Sequence, residues 1–273
     1  MSEATKISAC LVVYNEESVI ERCLASVKDL VDEIIVVHDG ECIDKTLAIA
    51  KKFTDKIFVR EHIGEAEPHR VFALNQATGD WILQIDGDEY LEISNHQKIR
   101  DLINQSRCDG YIFQWELWDG KEPVHFKGLQ KMCLYRKANF HYLGVPHQIG
   151  SVDKGPEILD LFLRHRPIYN NISWKSFLKK KRGWVPIHAR YFFPELVFYE
   201  SFNYPVEDWK KNSYLIRKNI AKYIIIEPII NLLGQLKNGL WTSGVGINIA
   251  LQQYIYYLSL YLKVWKLKKT YGK

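Results

Sequence analysis

Short apolar runs alternate with segments of helical spacing through the first third of the chain. Residues 7–14 (ISACLVVY) form an apolar run with β-branched side chains, the pattern of a strand buried on both faces. Over 16–27, Val19, Ile20, Cys23, Leu24 and Val27 recur at helical spacing and predict a helix. The alternation continues with a strand over 33–37 (EIIVV), a helix over 45–53, a strand over 56–60, a helix over 70–77 and a strand over 81–85 (WILQI). Strands alternating with helices of this length predict an α/β fold, a Rossmann-like, mostly parallel sheet with right-handed crossovers, flanked by helices.

Further on the pattern changes. Residues 110–118 (GYIFQWELW) and 127–135 (KGLQKMCLY) read as two more strands, with Asp119-Gly120 in the intervening turn. Beyond Gly155 the strand signal fades and helices dominate. They are expected over 174–184, over 214–233, where Pro228 should kink or break the helix, and over 244–265. In the last, Asn248, Gln252, Ser259, Lys263 and Lys266 form a narrow polar stripe among Val, Ile, Leu, Tyr and Trp. The expected division is an α/β region over 1–163 and a mainly helical extension over 164–273.

In a parallel sheet ligands bind beyond the carboxyl ends of the strands, and three polar clusters sit at those ends. They are Tyr14-Asn15-Glu16, His38-Asp39-Gly40 and Asp86-Gly87-Asp88. Two carboxylates one residue apart at a strand end, Asp86 and Asp88, can both turn toward a divalent cation. The glycine between them lets the backbone approach a phosphate. A hard cation held there would neutralise a diphosphate leaving group.

Charge divides the chain in the same way as the pattern. Residues 1–163 carry 18 Lys and Arg against 27 Asp and Glu, whereas 164–273 carry 19 against 5, within an overall net charge of +5. The basic half is either a solvated surface or a face for an anionic partner, nucleic acid or an anionic membrane surface. Nucleic acid is not expected, because no recognised binding module accompanies the charge. Five widely spaced cysteines without a CxxC pair argue against a zinc site and a disulfide framework, and fit a cytoplasmic, reducing compartment. The opening MSEATKISAC has no basic stretch leading into an apolar core, so no signal peptide is expected.

ISACLVVYNEE, EIIVVHDGECIDKTLAIA and HRVFALNQATGDWILQIDGDEYL, in that order, resemble the nucleotide-sugar-binding half of family 2 glycosyltransferases over about residues 5–92. The resemblance implies a GT-A fold, an inverting transfer and Mg2+ or Mn2+ bound between Asp86, Asp88 and the donor diphosphate. By position it places Val13, Tyr14, Asn15 and Glu16 along the nucleotide pocket, Asp39 on the base, and Arg70 in the segment closing over the donor. Cys42 stands where relatives often have a hydroxyl, and Val71 where they often have Asn. An inverting transfer needs a base for the acceptor hydroxyl. Glu116, Asp119 and Glu122 are the candidates from the hairpin, since Gln148 stands where some relatives have Glu and cannot serve. His147 fits a metal or diphosphate contact in this resemblance, and the pattern around 239–268 is similar to the tail of bacterial lipopolysaccharide-core and related envelope glycosyltransferases. The expected partners are therefore a nucleotide-sugar donor and a glycan or lipid-linked acceptor, with the enzyme peripheral on the cytoplasmic membrane face. The alternative is a nucleotide-sugar or glycan-binding protein without transfer activity.

Overall fold

A computed structural model describes residues 5–105, 107–146, 148–237 and 240–271. The chain forms two compact units. The first holds the chain up to Trp118, Leu129–Ile168 and Tyr199–Tyr204, and the second holds Asp119–Gly128, Tyr169–Phe198 and Pro205–Lys273.

The first unit is built on strands β1 (Ile7–Val13), β2 (Glu33–Asp39), β3 (Ile57–Arg60), β4 (Trp81–Gln84), β5 (Glu89–Tyr90) and β6 (Gly110–Trp115). After the two-residue strands β7 (Leu117–Trp118) and β8 (Pro123–Val124) come β9 (Gln130–Arg136), β10 (Phe140–Leu143), β11 (Ser151–Val152), β12 (Glu157–His165) and β13 (Ser201–Phe202). Eight of them form one sheet in the order β3-β2-β1-β4-β9-β6-β12-β5, and β11-β10-β13 form a second. The four strands β3, β2, β1 and β4 are mutually parallel, and β9 runs antiparallel to β4 and β6. This is the α/β architecture expected from the sequence, with a mostly parallel sheet and a helical region toward the end of the chain.

Period-two side-chain alternation sorts the strand residues onto two faces. Ile7, Ala9, Leu11, Ile34, Val36, Trp81 and Leu83 pack with helices α1 (Ile20–Val27), α2 (Thr46–Ala50) and α4 (His96–Asn104). Cys10, Ile35, Val37 and Ile82 face the other way, against α3 (Glu67–Gln76) through Val71, Ala73 and Leu74. Helix α3 starts three residues before the apolar spacing shows it, with Pro68 in its first turn, where a missing N–H costs nothing.

Strand β12 is the main departure from the sequence reading, which saw the strand signal end at Gly155. Its Leu159, Leu161 and Leu163 are buried while Asp160, Phe162 and Arg164 are not, a period-two pattern that was present in EILDLFLRH. It pairs in parallel with β6 and antiparallel with β5, so it completes the sheet beside the Asp86-Gly87-Asp88 segment.

Glu33 ties three edges of this unit together. Its carboxylate accepts from Ser8 Oγ, Lys56 Nζ, Thr78 N and Gly79 N. Burial alone would raise its pKa, but these donors outweigh that and hold it at about 2, against 4.5 in the unfolded chain. A depressed carboxylate stabilises the fold fully above pH 4.5, and that contribution is lost as pH falls toward 2. Because Lys56 is 45% exposed, solvent screens the interaction, and about 1–2 kcal/mol is expected. Urea unfolding of Glu33→Gln should therefore show a loss of that size at pH 6, shrinking toward zero near pH 2. A constant difference across this range would disprove the linkage.

The second unit contains helices α5 (Trp174–Arg190), α6 (Val206–Lys218), α7 (Ile220–Lys237) and α8 (Gly244–Tyr271). Ala189, Phe193, Ile220, Leu260, Tyr261 and Val264 are its buried centre. Pro228 neither ends nor divides α7, and the break falls instead at Asn219, between α6 and α7. The polar stripe expected along α8 is partly internal: Gln252 is buried, and Asn248 and Gln252 both donate to the Ile172 carbonyl. Among the described residues no helix is long and apolar enough to cross a membrane.

Candidate functional site

The strand order reverses at β1, where β2 lies on one side and β4 on the other, and crossover connections leave a crevice at that point. The ends of these three strands carry the polar clusters. Asn15 turns the chain off β1 with φ +52°, a left-handed conformation that asparagine tolerates. Its Oδ1 accepts from Ile43 N, Glu16 N donates to Thr46 Oγ1, and Asp44 Oδ1 accepts from Thr46 N at the start of α2. Val13 is buried, and Tyr14 is 49% exposed with its ring stacked on His62 at 4.9 Å.

Asp39, at the end of β2, is buried and well supplied with donors. It accepts from His69 Nε2 at 2.8 Å, Ile63 N at 2.7 Å and Gly64 N at 3.0 Å, with His62 Nδ1 3.1 Å away. Burial pushes its pKa up, but the His69 and backbone hydrogen bonds prevail and lower it. Gly40 follows with φ +89°, and a Cβ there would sit 2.8 Å from His62 Cβ, so only glycine fits.

Asp86 and Asp88 leave β4 in different surroundings. Asp86 Oδ1 accepts from Arg70 Nη2 at 2.8 Å and Oδ2 from Lys131 Nζ at 2.7 Å. Although burial opposes it, the charges of Lys131 and Arg70 hold the Asp86 carboxyl well below the usual range. Lys131 also bridges both oxygens of Glu89, which is 1% exposed and further held by Trp115 Nε1 at 2.8 Å. Burial raises the Glu89 pKa. Asp88 Oδ2 lies 3.3 Å from His165 Nε2.

Glu16 adds a third carboxyl. Its Oε2 is buried without a hydrogen-bond partner and would be only 1.9 Å from a Cβ at position 87, so Gly87 makes room for it. Burial, reinforced by the Asp88 and Asp86 charges, raises Glu16 to about 8.

The structure thus brings together Glu16, Arg70, Asp86 and Asp88, and adds three residues that sequence reasoning did not assign to the motif. Lys131 stands on β9, 45 residues beyond Asp86 in the sequence. Glu89 directly follows the motif, and His165 ends the strand whose alternation went unread. His165 is fixed by its ring stacked on Trp115 at 4.5 Å and by its Nδ1 near the Glu116 carbonyl at 3.2 Å.

The proposed bases have partners of their own. Glu116 is fully buried, with its carboxylate paired to Arg166 Nη1 and, at 3.2 Å, to Arg164 Nη1. It is a clamp on the end of β12 rather than a carboxylate open to an acceptor. Asp119 belongs to the second unit, where its Oδ1 accepts from Lys121 N and Glu122 N in an exposed turn. These two backbone donors lower its pKa. His147 lies outside the described residues.

The site's ligand chemistry fits a hard divalent cation. The acceptors around Gly87 are carboxylate oxygens, and an unpaired one belongs to Glu16. Among the described residues no three His, Cys, Asp or Glu side chains converge as a metal-binding group.

The family profile described as glycosyl transferase family 2 matches residues 8–161, more than half of the chain. The chain belongs to glycosyl transferase family 2. A TPR repeat-containing protein of Synechococcus elongatus is 39% identical over 119 residues, 43% of this chain and 29% of that protein. An uncharacterized glycosyltransferase of Rickettsia typhi is 33% identical over 134 residues, 49% of this chain and 44% of that protein. The match thus spans less than half the length of either curated relative. Among solved structures, S. aureus TarS 1-349 aligns over 98% of this chain and 92% of its own, at 16% identity and a TM-score of 0.45. Glucosyl-3-phosphoglycerate synthase from Mycobacterium tuberculosis, with Mn2+ and UDP-glucose, aligns over 60% and 72% at 14% identity and a TM-score of 0.41.

Proposed function

We propose that this chain transfers a sugar, with inversion, from a nucleoside-diphosphate sugar to a glycan or lipid-linked acceptor of the cell envelope. The observation that carries this reading is the meeting of Asp86, Asp88, Arg70 and His165 at the β1/β4 crevice of a family 2 domain. Asp86 and Asp88 would hold Mg2+ or Mn2+, which supplies charge neutralisation to the departing diphosphate. Arg70, now bound to Asp86, is placed to meet the same phosphates, and His165 to orient Asp88 or share its ligand. Val13, Tyr14, Asn15 and Glu16 would line the nucleotide pocket, with the catalytic work assigned to residues 1–163 together with His165 just beyond them.

Asp39 contributes through the pocket wall. Its hydrogen bonds shape residues 62–64, and His62 in turn stacks on Tyr14, so the nucleotide base would rest against this pair, within reach of Asp39.

One observation favours the second reading, donor binding without transfer. Glu116, within the same unit as the crevice, is paired with two arginines and so is not an open base there. Calorimetry with Mn2+ and a nucleotide-sugar panel that includes UDP-glucose and UDP-N-acetylglucosamine, followed by assay of slow donor hydrolysis, separates the readings. Binding with hydrolysis supports transfer, binding without it supports the alternative, and no binding of any donor removes both. In the same titrations Asp39→Ala should weaken free nucleoside diphosphate and nucleotide sugar by a similar factor, roughly tenfold. A loss confined to the sugar-linked donor would place Asp39 at the sugar instead.

A further inference from the structure

We propose that the exposed face of α6 and α7 is a docking surface for an anionic lipid bilayer. On α7, Ile225, Ile226, Ile229, Ile230 and Leu233 recur on one side of the helix, and each is between 39% and 63% exposed. The packed side is a different set: Ile220 and Pro228 are buried, and Tyr223 and Ile224 pack on the centre that Leu260, Tyr261 and Val264 of α8 provide. The apolar content of α7 therefore exceeds what folding of this unit uses. A helix apolar on both sides is buried in a larger core or meets lipid, and α7 does not qualify as a membrane-crossing span.

Charge selects the lipid. Lys218 and Lys222 are exposed at one end of the stripe and Lys237 at the other. Glu227, the acid of α7, lies within electrostatic reach of the Tyr257 and Tyr261 phenols of α8, on the packed side. From 205 to 273 the sequence holds 11 Lys and Arg against 3 Asp and Glu. A second copy laid antiparallel on this face would set Lys222 against its own Lys237 and gain like-charge repulsion. An anionic bilayer instead offers a hydrocarbon interior to the isoleucines and headgroup charge to the lysines. Trp241, 65% exposed just beyond α7, has the amphipathic ring that settles at headgroup depth.

The surface lies within the second unit and stands whether or not the donor reading does. The test is flotation of the full chain with phosphatidylglycerol/phosphatidylcholine vesicles and with phosphatidylcholine alone. The chain should float with the anionic vesicles at low salt and much less with the neutral ones. Ile229→Glu/Leu233→Glu should lower the bound fraction by about tenfold with the thermal midpoint retained, and Lys218→Glu/Lys222→Glu should narrow the difference between vesicle types. If the apolar variant melts early, an environment-sensitive dye on Ile229→Cys, in a Cys42→Ser background, reads the same contact. A blue shift with anionic vesicles supports docking, and an unchanged spectrum overturns it. Retention in the soluble fraction with anionic vesicles also overturns it, as does undiminished flotation of Ile229→Glu/Leu233→Glu. So does an oligomer in sedimentation that this variant dissociates while neither form floats.

Discussion

Asp88→Asn is expected to lower sugar transfer by about 10²–10³-fold while changing stability by no more than about 0.5 kcal/mol. The asymmetry between the two aspartates makes Asp88 the informative position. Asp86 balances Arg70 and Lys131, so its removal takes one counter-charge from each of two cations, leaving Lys131 with Glu89 and Arg70 with Glu67, and disturbs the fold as well as the site. Asp88 has a quarter of its side chain exposed, and His165 Nε2 lies 3.3 Å from its Oδ2. An amide there keeps the size and a hydrogen-bonding oxygen but withdraws the negative charge that a divalent cation needs. Manganese-dependent calorimetry of nucleoside diphosphate binding should weaken in parallel with the rate. An Asp88→Asn protein of parental activity, or full activity of the parent in EDTA, would sink the metal assignment.

The second large effect is expected at Glu116, and it separates a catalytic from a structural role. Arg164 and Arg166 both direct Nη1 at this fully buried carboxylate, and His165 between them also donates its backbone N–H to it at 3.4 Å. Removing one partner of a buried pair costs about 3–5 kcal/mol, because the charges left behind are desolvated without compensation. Glu116→Ala should therefore lower the melting midpoint by roughly 6–20 °C, as followed by circular dichroism. Glu116→Gln should recover part of that loss, by keeping hydrogen bonds to the arginines. Residual transfer, measured well below the midpoint, should survive in the glutamine variant. A Glu116→Gln protein with the parental midpoint and no turnover would instead make Glu116 the base.

The first half of the site was legible because strand-end positions follow directly from the apolar pattern. ISACLVVY, EIIVV and WILQI each predict a buried strand, and parallel strands with crossovers bring their carboxyl ends to one edge. Asn15, Glu16, Asp39, Asp86 and Asp88 are placed by that logic alone. The other half depends on residues distant in sequence. Lys131 reaches Asp86 because β9 runs antiparallel beside β4, and His165 reaches Asp88 because β12 pairs with β5. Strand pairing between segments 40 to 80 residues apart leaves no local trace.

Burial was likewise decided by tertiary structure. In the sequence Glu116 is an acid in a strand–turn–strand segment, and only its pairing with Arg164 and Arg166 removes it from the crevice. Gln252 looked like part of a solvent stripe until the Ile172 carbonyl required a buried donor. Pro228 was expected to kink or break a helix, and α7 runs through it unbroken, with stability that comes from packing on α8. The sequence by itself determined the strand order of chemistry along the chain, the paired aspartates, and the acidic and basic halves, because composition and periodicity are local. The tertiary structure alone decided which charges face each other, because Coulomb and desolvation energies depend on distances that only the folded sheet sets.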